Sequence, residues 1–241
     1  MQTMQAISQT LKPTATIKPP VFTGTFRSKK DAVLDGLRNA ILQGDFKPGE
    51  RLVIDELARQ LGISPIPIRE ALQQLQGEGF VTIQPHVGAT VTPIEASLVD
   101  EIFELLESLE IISSKAACRR MSKEDFARME ALLKEMDGLD KDLARWSEAN
   151  VRLHEFISDC AGMPLVKSML TKVLDHWKRL RQVYLHDVFA RRVQDAQKEH
   201  WQMLRAMRAC DTERLERIVR NHNRAAHAAY ANHLKKSIEL S

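Results

Sequence analysis

Three histidines in this chain stand where helices could bring them together. In the stretch NVRLHEF (150–156), Asn150 and His154 are four residues apart and share a helix face. His200, in KEHWQML, and His222, in RNHNRAA, fall on two later helical stretches. Three imidazoles delivered from three helices can hold a divalent cation and leave a position open for water or a ligand. Such an ion can also activate water, which keeps a metal-dependent hydrolase open, although no partnered general base is evident. The spacing does not choose by itself, because the chain has 8 histidines and a helical histidine is more often a surface or satisfied core residue. His176, His186, His227 and His233 are read in that ordinary way.

A second group lies in ISPIPIREALQQLQGEGF (63–80). Pro65 and Pro67 stand in front of a good helix. With Ser64 as N-cap they occupy the first turn, where N–H groups have no intrahelical partner and a fixed φ is favourable. The Ser64 hydroxyl can accept from a free N–H there. Ile68, Ala71, Leu72 and Leu75 recur at spacings of three and four and predict a buried stripe. Arg69, Gln73, Gln74 and Gln76 fall mostly off it, on a face suited to hydrogen bonding. Gly77 and Gly79 end the helix.

These groups need elements to carry them. Val33, Leu34, Leu37 and Ile41 predict a helix from Lys29 to Leu42, followed by the turn GDFKPGE. IDELARQLG predicts a short second helix with acids in its first turn. FVTIQ and GATVTP alternate as two strands joined by PHV. Helix, helix, turn, helix and hairpin make a winged helix-turn-helix. Beyond Pro93 the pattern is helical throughout. A long helix passes through Leu98, Ile102, Leu105, Leu109 and Ile112, and Ser122 caps the next. Others run near 141–160, 164–189, 190–209 and 212–236, so an antiparallel bundle is expected. The fold class is therefore mainly α, with an N-terminal winged helix-turn-helix (26–93) and a C-terminal antiparallel helical bundle (98–236). Residues 1–25, rich in Thr, Gln and Pro and without a period, read as a mobile tail.

Composition narrows the function. The chain has 241 residues, 44% hydrophobic and 28% charged, as in soluble globular proteins. No apolar run is long enough to cross a bilayer, and no signal-peptide core is present, so no membrane partner and a cytoplasmic location are expected. The 3 cysteines, Cys118, Cys160 and Cys210, are far apart, which argues against a disulfide framework. An aromatic content of 5% disfavours a base-stacking single-strand binder. The net charge of +3 does not by itself demand nucleic acid. Between residues 31 and 93 acids outnumber bases, so DNA contact there must come from a few placed side chains.

From ILQGDFKPGERL to GATVTP the chain resembles the GntR superfamily of bacterial transcription regulators: turn, helix, REAL, EGF and wing glycine arrive in order. The bundle resembles the FadR-like branch, whose helical C-terminal domain (FCD type) senses effectors. The resemblance implies DNA contact by Arg69. Pro65 and Pro67 cannot donate N–H groups to a phosphate, which leaves Ser64, Ile66 and Ile68; Gln73 is a candidate base reader, Gly88 allows the tight turn of the wing, and His86 at its tip can touch a phosphate or face water. It departs at Pro65, where the family usually has a second arginine. It further implies a divalent metal, zinc or nickel, on His154, His200 and His222, with Asn150 where the family has Asp. The effector would be a small molecule with a carboxylate. The family's effector arginine is replaced here by Leu106, and Arg181 is the remaining candidate. A homodimer on a near-palindromic double-stranded operator follows, because one winged helix reads only a few base pairs. A constitutive DNA-binding dimer with a metal-free bundle is the alternative.

Overall fold

The computed structural model describes residues 29–85, 88–139, 141–184, 188 and 190–239, and its buried apolar residues fall into two separate cores, one before the Thr92–Pro93 junction and one after it. The expected tail, 1–25, lies outside the described residues.

The first unit contains α1 (Lys29–Gln43), β1 (Arg51–Leu52), α2 (Ile54–Leu61), α3 (Pro65–Gly77), β2 (Val81–Gln84) and β3 (Gly88–Val91). The stripe on α3 is buried as its spacing requires: Ile68, Ala71, Leu72 and Leu75 are at most 1% exposed. It packs against α1, which buries Val33, Leu34, Leu37, Ala40 and Ile41. Between α2 and α3 the chain turns at Gly62, whose φ of 64° is costly for any residue with a Cβ. In the EGF stretch, the Glu78 carboxylate accepts from the Arg38 guanidinium of α1 at 2.7 and 2.8 Å, and Phe80 is buried.

The hairpin pairs Val81 with Val91 and Ile83 with Ala89, antiparallel. A third strand, β1, completes the sheet in the order β1-β3-β2, with Arg51 opposite Thr90. Its two residues are too short to show alternation, so the sequence reading placed only a turn before it.

Ser64 does not cap α3 as expected. Its backbone is extended (φ −70°, ψ 158°), but its side chain makes no capping bond. A capping hydroxyl serves the N–H of the second or third helical residue. Here the third is Pro67, which has none, so half of the usual opportunity is gone.

The second unit contains α4 (Ala96–Cys118), α5 (Lys123–Asp137), α6 (Leu143–Ala161), α7 (Pro164–Tyr184), α8 (Ala190–Arg208) and α9 (Thr212–Glu239). Helix α4 packs against α6, α7, α8 and α9, and its stripe of Val99, Ile102, Phe103, Leu106 and Leu109 lies in the core. Helix α5 starts with a complete capping box: the Asp125 N–H donates to Ser122 Oγ at 3.1 Å, and the Ser122 N–H donates to Asp125 Oδ2 at 3.0 Å.

The two serines should respond differently to mutation. Ser122→Ala is expected to destabilise the bundle by about 1 kcal/mol, whereas Ser64→Ala should change stability by no more than a few tenths. Urea denaturation followed by circular dichroism measures both. Equal losses would mean that Ser64 caps its helix after all.

Candidate functional site

His154 on α6, His200 on α8 and His222 on α9 meet inside the bundle. All three are buried, and one nitrogen of each lies within 4.8 Å of the others. Their ring centroids are 4.8 to 5.7 Å apart. Buried imidazoles need polar partners, and two of the three have carboxylates. His154 Nδ1 lies 2.9 Å from Glu110 Oε1 on α4, and Glu110 also accepts from Asn223 Nδ2 at 2.8 Å. His222 Nδ1 lies 2.7 Å from Glu199 Oε2, which also accepts from Arg192 at 2.6 Å.

His200 differs. Neither of its ring nitrogens has a hydrogen-bond partner among the described residues, and its ring stacks on Trp146 at 5.9 Å. Asn150 Oδ1, on the same face of α6 as His154, is also buried without a partner among the described residues.

The electrostatics follow from this arrangement. Burial raises the Glu110 carboxyl, but the neighbouring His154 outweighs it and holds it below the usual range. Burial lowers the His154 imidazole, and Glu110 more than reverses that. Glu199 is pulled down to about 2, because bonds from His222 and Arg192 exceed its burial cost. His200 is held well below the ordinary imidazole value, by burial first and then by the charges of His222, His154 and Arg192. Both effects favour the uncharged ring, the form that binds metals.

The donor set fits a divalent cation. When Nδ1–H donates to a carboxylate, Nε2 is left with its lone pair, and this is how metal-binding histidines are oriented in general. His154 and His222 both have that carboxylate, and His200 adds a neutral third ring. A tetrahedral site separates its ligand nitrogens by about 3.4 Å, so the rings would draw in around an ion.

A cavity of about 50 Å³ adjoins the cluster. Glu110, Asn150, His154, Arg192, His222 and Asn223 are among its polar lining, and Phe103, Leu106, Trp177 and Val193 among its apolar lining. It has room for a few water molecules, so a larger ligand requires side-chain movement. Leu106 does line it, at the position where the resemblance leads one to look for arginine. Arg181 is not among the lining residues. Among the described residues the cation lining it is Arg192, which Glu199 already holds.

The sequence reading missed Glu110, Glu199 and Arg192. Glu110 left a signal, since it is a charge inside the apolar face of α4, between Leu106, Ser113 and Ala117. Glu199 left none, because it is adjacent to His200 in sequence but turns toward His222.

In the first unit, Ser64, Arg69 and Gln73 are exposed, as is Ile66 at 65%. Arg69 makes no salt bridge within the described residues, whereas Arg59 on α2 is bound to Glu56 at 2.5 Å. Gly88 opens β3 at φ 103°, and a Cβ there would meet the Arg51 guanidinium at 3.6 Å. Arg51 is therefore an exposed cation beside the wing that the sequence reading did not single out. His86 lies outside the described residues.

Comparisons with known proteins agree with both halves. The model of bacterial regulatory proteins of the gntR family matches residues 29–91, and the FCD domain model matches residues 101–225. An uncharacterized HTH-type transcriptional regulator in the TAR-I ttuE-ttuC' intergenic region of Agrobacterium vitis is 34% identical over 54% of this chain and 80% of its own length. The uncharacterized HTH-type transcriptional regulator YdhC of Bacillus subtilis is 30% identical over 58% of this chain and 63% of its own length. Among solved structures, E. coli McbR/YncC superposes with a TM-score of 0.71 over 87% of this chain and 100% of that one; at 22% identity this speaks to fold alone.

Removing the carboxylate behind His154 tests the site's construction. Glu110→Ala leaves a buried imidazole and the Asn223 amide without their shared acceptor, and is expected to destabilise the bundle by about 3–5 kcal/mol. Denaturant unfolding in chelator reads this directly. A loss below about 1 kcal/mol would show that Glu110 does not anchor the cluster.

Proposed function

Because the chain belongs to the gntR family of bacterial regulatory proteins and carries an FCD domain, it is a DNA-binding transcription regulator, and we propose that a metal-dependent effector site in its bundle sets its affinity for an operator. The names of its relatives point to regulation and not to catalysis.

His154, His200 and His222 would hold the ion, zinc or nickel, with Asn150 as a neutral oxygen donor. The observation that carries this reading is the buried His200 ring, without a hydrogen-bond partner among the described residues, between two imidazoles that carboxylates already orient. A bound divalent cation would supply a Lewis-acid position for an effector carboxylate. The chain's own residues do the rest. Glu110 and Glu199 orient two rings, Asn150 offers an oxygen in place of a carboxylate, and the apolar walls exclude water from the ligand's body. By linkage, the effector can shift DNA affinity only by as much as its own affinity differs between the two states.

At the DNA, the exposed face of α3 would enter the major groove with Arg69 in its second turn. Ser64 and Ile66 can offer N–H groups to a phosphate, while Pro65 and Pro67 cannot. Gln73 is the candidate base reader. The wing, with Gly88 and His86, lies along the backbone. A homodimer on a near-palindromic operator supplies the specificity that one such unit lacks.

Arg69→Ala is expected to weaken specific operator binding by about 1–3 kcal/mol with the fold intact, as read by gel shift at fixed salt. Unchanged affinity would remove α3's second turn from the interface.

The metal has its own test. Free zinc or nickel at 100 times its dissociation constant should stabilise the protein by about 2.7 kcal/mol. His154→Ala, His200→Ala and His222→Ala should each abolish that gain. Asn150→Asp should retain metal at a chelator concentration that strips the parent, because a carboxylate binds a divalent cation more strongly than an amide. If the parent carries no metal and melts identically with chelator and with added ion, the cavity is a direct ligand pocket.

A further inference from the structure

We propose that Cys118 and Cys210 are a redox-active dithiol, at which a hydroperoxide converts two thiols into a disulfide tying the end of α4 to the turn between α8 and α9. The two sulfurs lie 3.4 Å apart although the residues are 92 apart in sequence. Cys118 is the last residue of α4 and is buried, whereas Cys210 is exposed. A disulfide needs about 2.05 Å between sulfurs, so they must approach by about 1.4 Å, within reach of small side-chain rotations.

The position of Cys210 is unusual. Its φ of 50° makes it the one non-glycine residue with positive φ among the described residues. A helix end of this kind normally carries glycine. The turn is held by the Cys210 N–H donating to Met207 O and the Asp211 N–H donating to Ala206 O, each at 3.0 Å. The backbone thus fixes the direction of the Cys210 side chain, toward Cys118. Cys160, on α6, has no part in this pair.

Burial, followed by the contact with Cys210, pushes the Cys118 thiol up to about 11, so the exposed Cys210 is the thiol that reacts first. Its thiolate attacks the terminal oxygen of the hydroperoxide. The O–O bond breaks, the departing alkoxide takes a proton, and Cys210 becomes a sulfenic acid. Cys118 sulfur then attacks the Cys210 sulfur, the S–OH bond breaks, and water leaves with the Cys118 proton. Two thiols and one hydroperoxide become one disulfide, one alcohol and one water, with two electrons passing from sulfur to oxygen. A dithiol reductant reverses the change.

The bond would join elements that serve the histidine cluster. Glu110 lies two turns before Cys118 on α4, His200 precedes Cys210 on α8, and His222 follows it on α9. Oxidation would therefore restrain α4 against the two helices that carry these rings.

Full-length protein treated with hydrogen peroxide and then alkylated tests this by mass spectrometry. We expect two of the three thiols to be lost, an intact mass lower by about 2 Da, a peptide pair linked through Cys118 and Cys210, and full recovery with dithiothreitol. The oxidised form should melt several degrees higher, because the bond closes a long loop. Cys160→Ser should behave as the parent. Cys118→Ser, with unchanged circular dichroism, should stop at a Cys210 sulfenic acid that dimedone traps. Three alkylatable thiols after treatment would overturn the proposal, as would a Cys210 sulfinic acid with Cys118 still reduced, or a link between chains instead of within one.

Discussion

The bundle depends on how three imidazoles can be buried together. An imidazole stripped of water needs a partner for each nitrogen, and an imidazolium needs a counter-charge. Glu110 and Glu199 meet that need at one nitrogen each, the Nδ1 atoms of His154 and His222. Each carboxylate is itself satisfied, by Asn223 in one case and Arg192 in the other. His200 has no such partner among the described residues, and a ligand at the centre of the cluster would supply one. A stable apolar core would not be built this way, because a buried unsatisfied polar group costs on the order of 1–3 kcal/mol. Such a cost is what a binding site carries before its ligand arrives.

Helix α4 links this site to the rest of the bundle. It brings Glu110 to His154, lines the cavity with Phe103 and Leu106, and packs on α9 along much of its length. A ligand entering a cavity of about 50 Å³ must move some of these side chains. Because packed interiors transmit displacement instead of absorbing it, α4 and α9 are the elements through which occupancy would be felt.

Much of this was legible in the sequence, for identifiable reasons. The stripe on α3 follows from helical period, and the EGF stretch proves to be an anchor: Glu78 to Arg38, Phe80 into the core. On α4 the period marks the helix but not the whole of its buried face: Leu105 and Ile112 are exposed, and Phe103 and Leu106 turn inward in their place. The three histidines were singled out by the family resemblance and not by spacing, because His176, His227 and His233 also fall on helices. What escaped notice depended on direction or on brevity. Two residues of β1 carry no alternation, so Arg51 was overlooked. Whether Glu199 faces His200 or His222 depends on helix rotation, which spacing alone does not supply. Ser64 has the residue type and backbone of an N-cap, but Pro67 removes one of the two N–H groups that it could have bonded and its side chain makes no capping bond. Arg192, which no motif marks, lines the cavity, while Arg181 does not.

The central claim is that the three histidines form one metal centre. X-ray absorption at the metal edge, on full-length protein loaded with one equivalent of zinc or nickel and washed free of excess, tests it most directly. The account predicts a first shell of three imidazole nitrogens at about 2.0–2.1 Å for zinc, with the remaining ligands oxygen. A shell of oxygen alone, any sulfur ligand, or no metal retained after washing would contradict it.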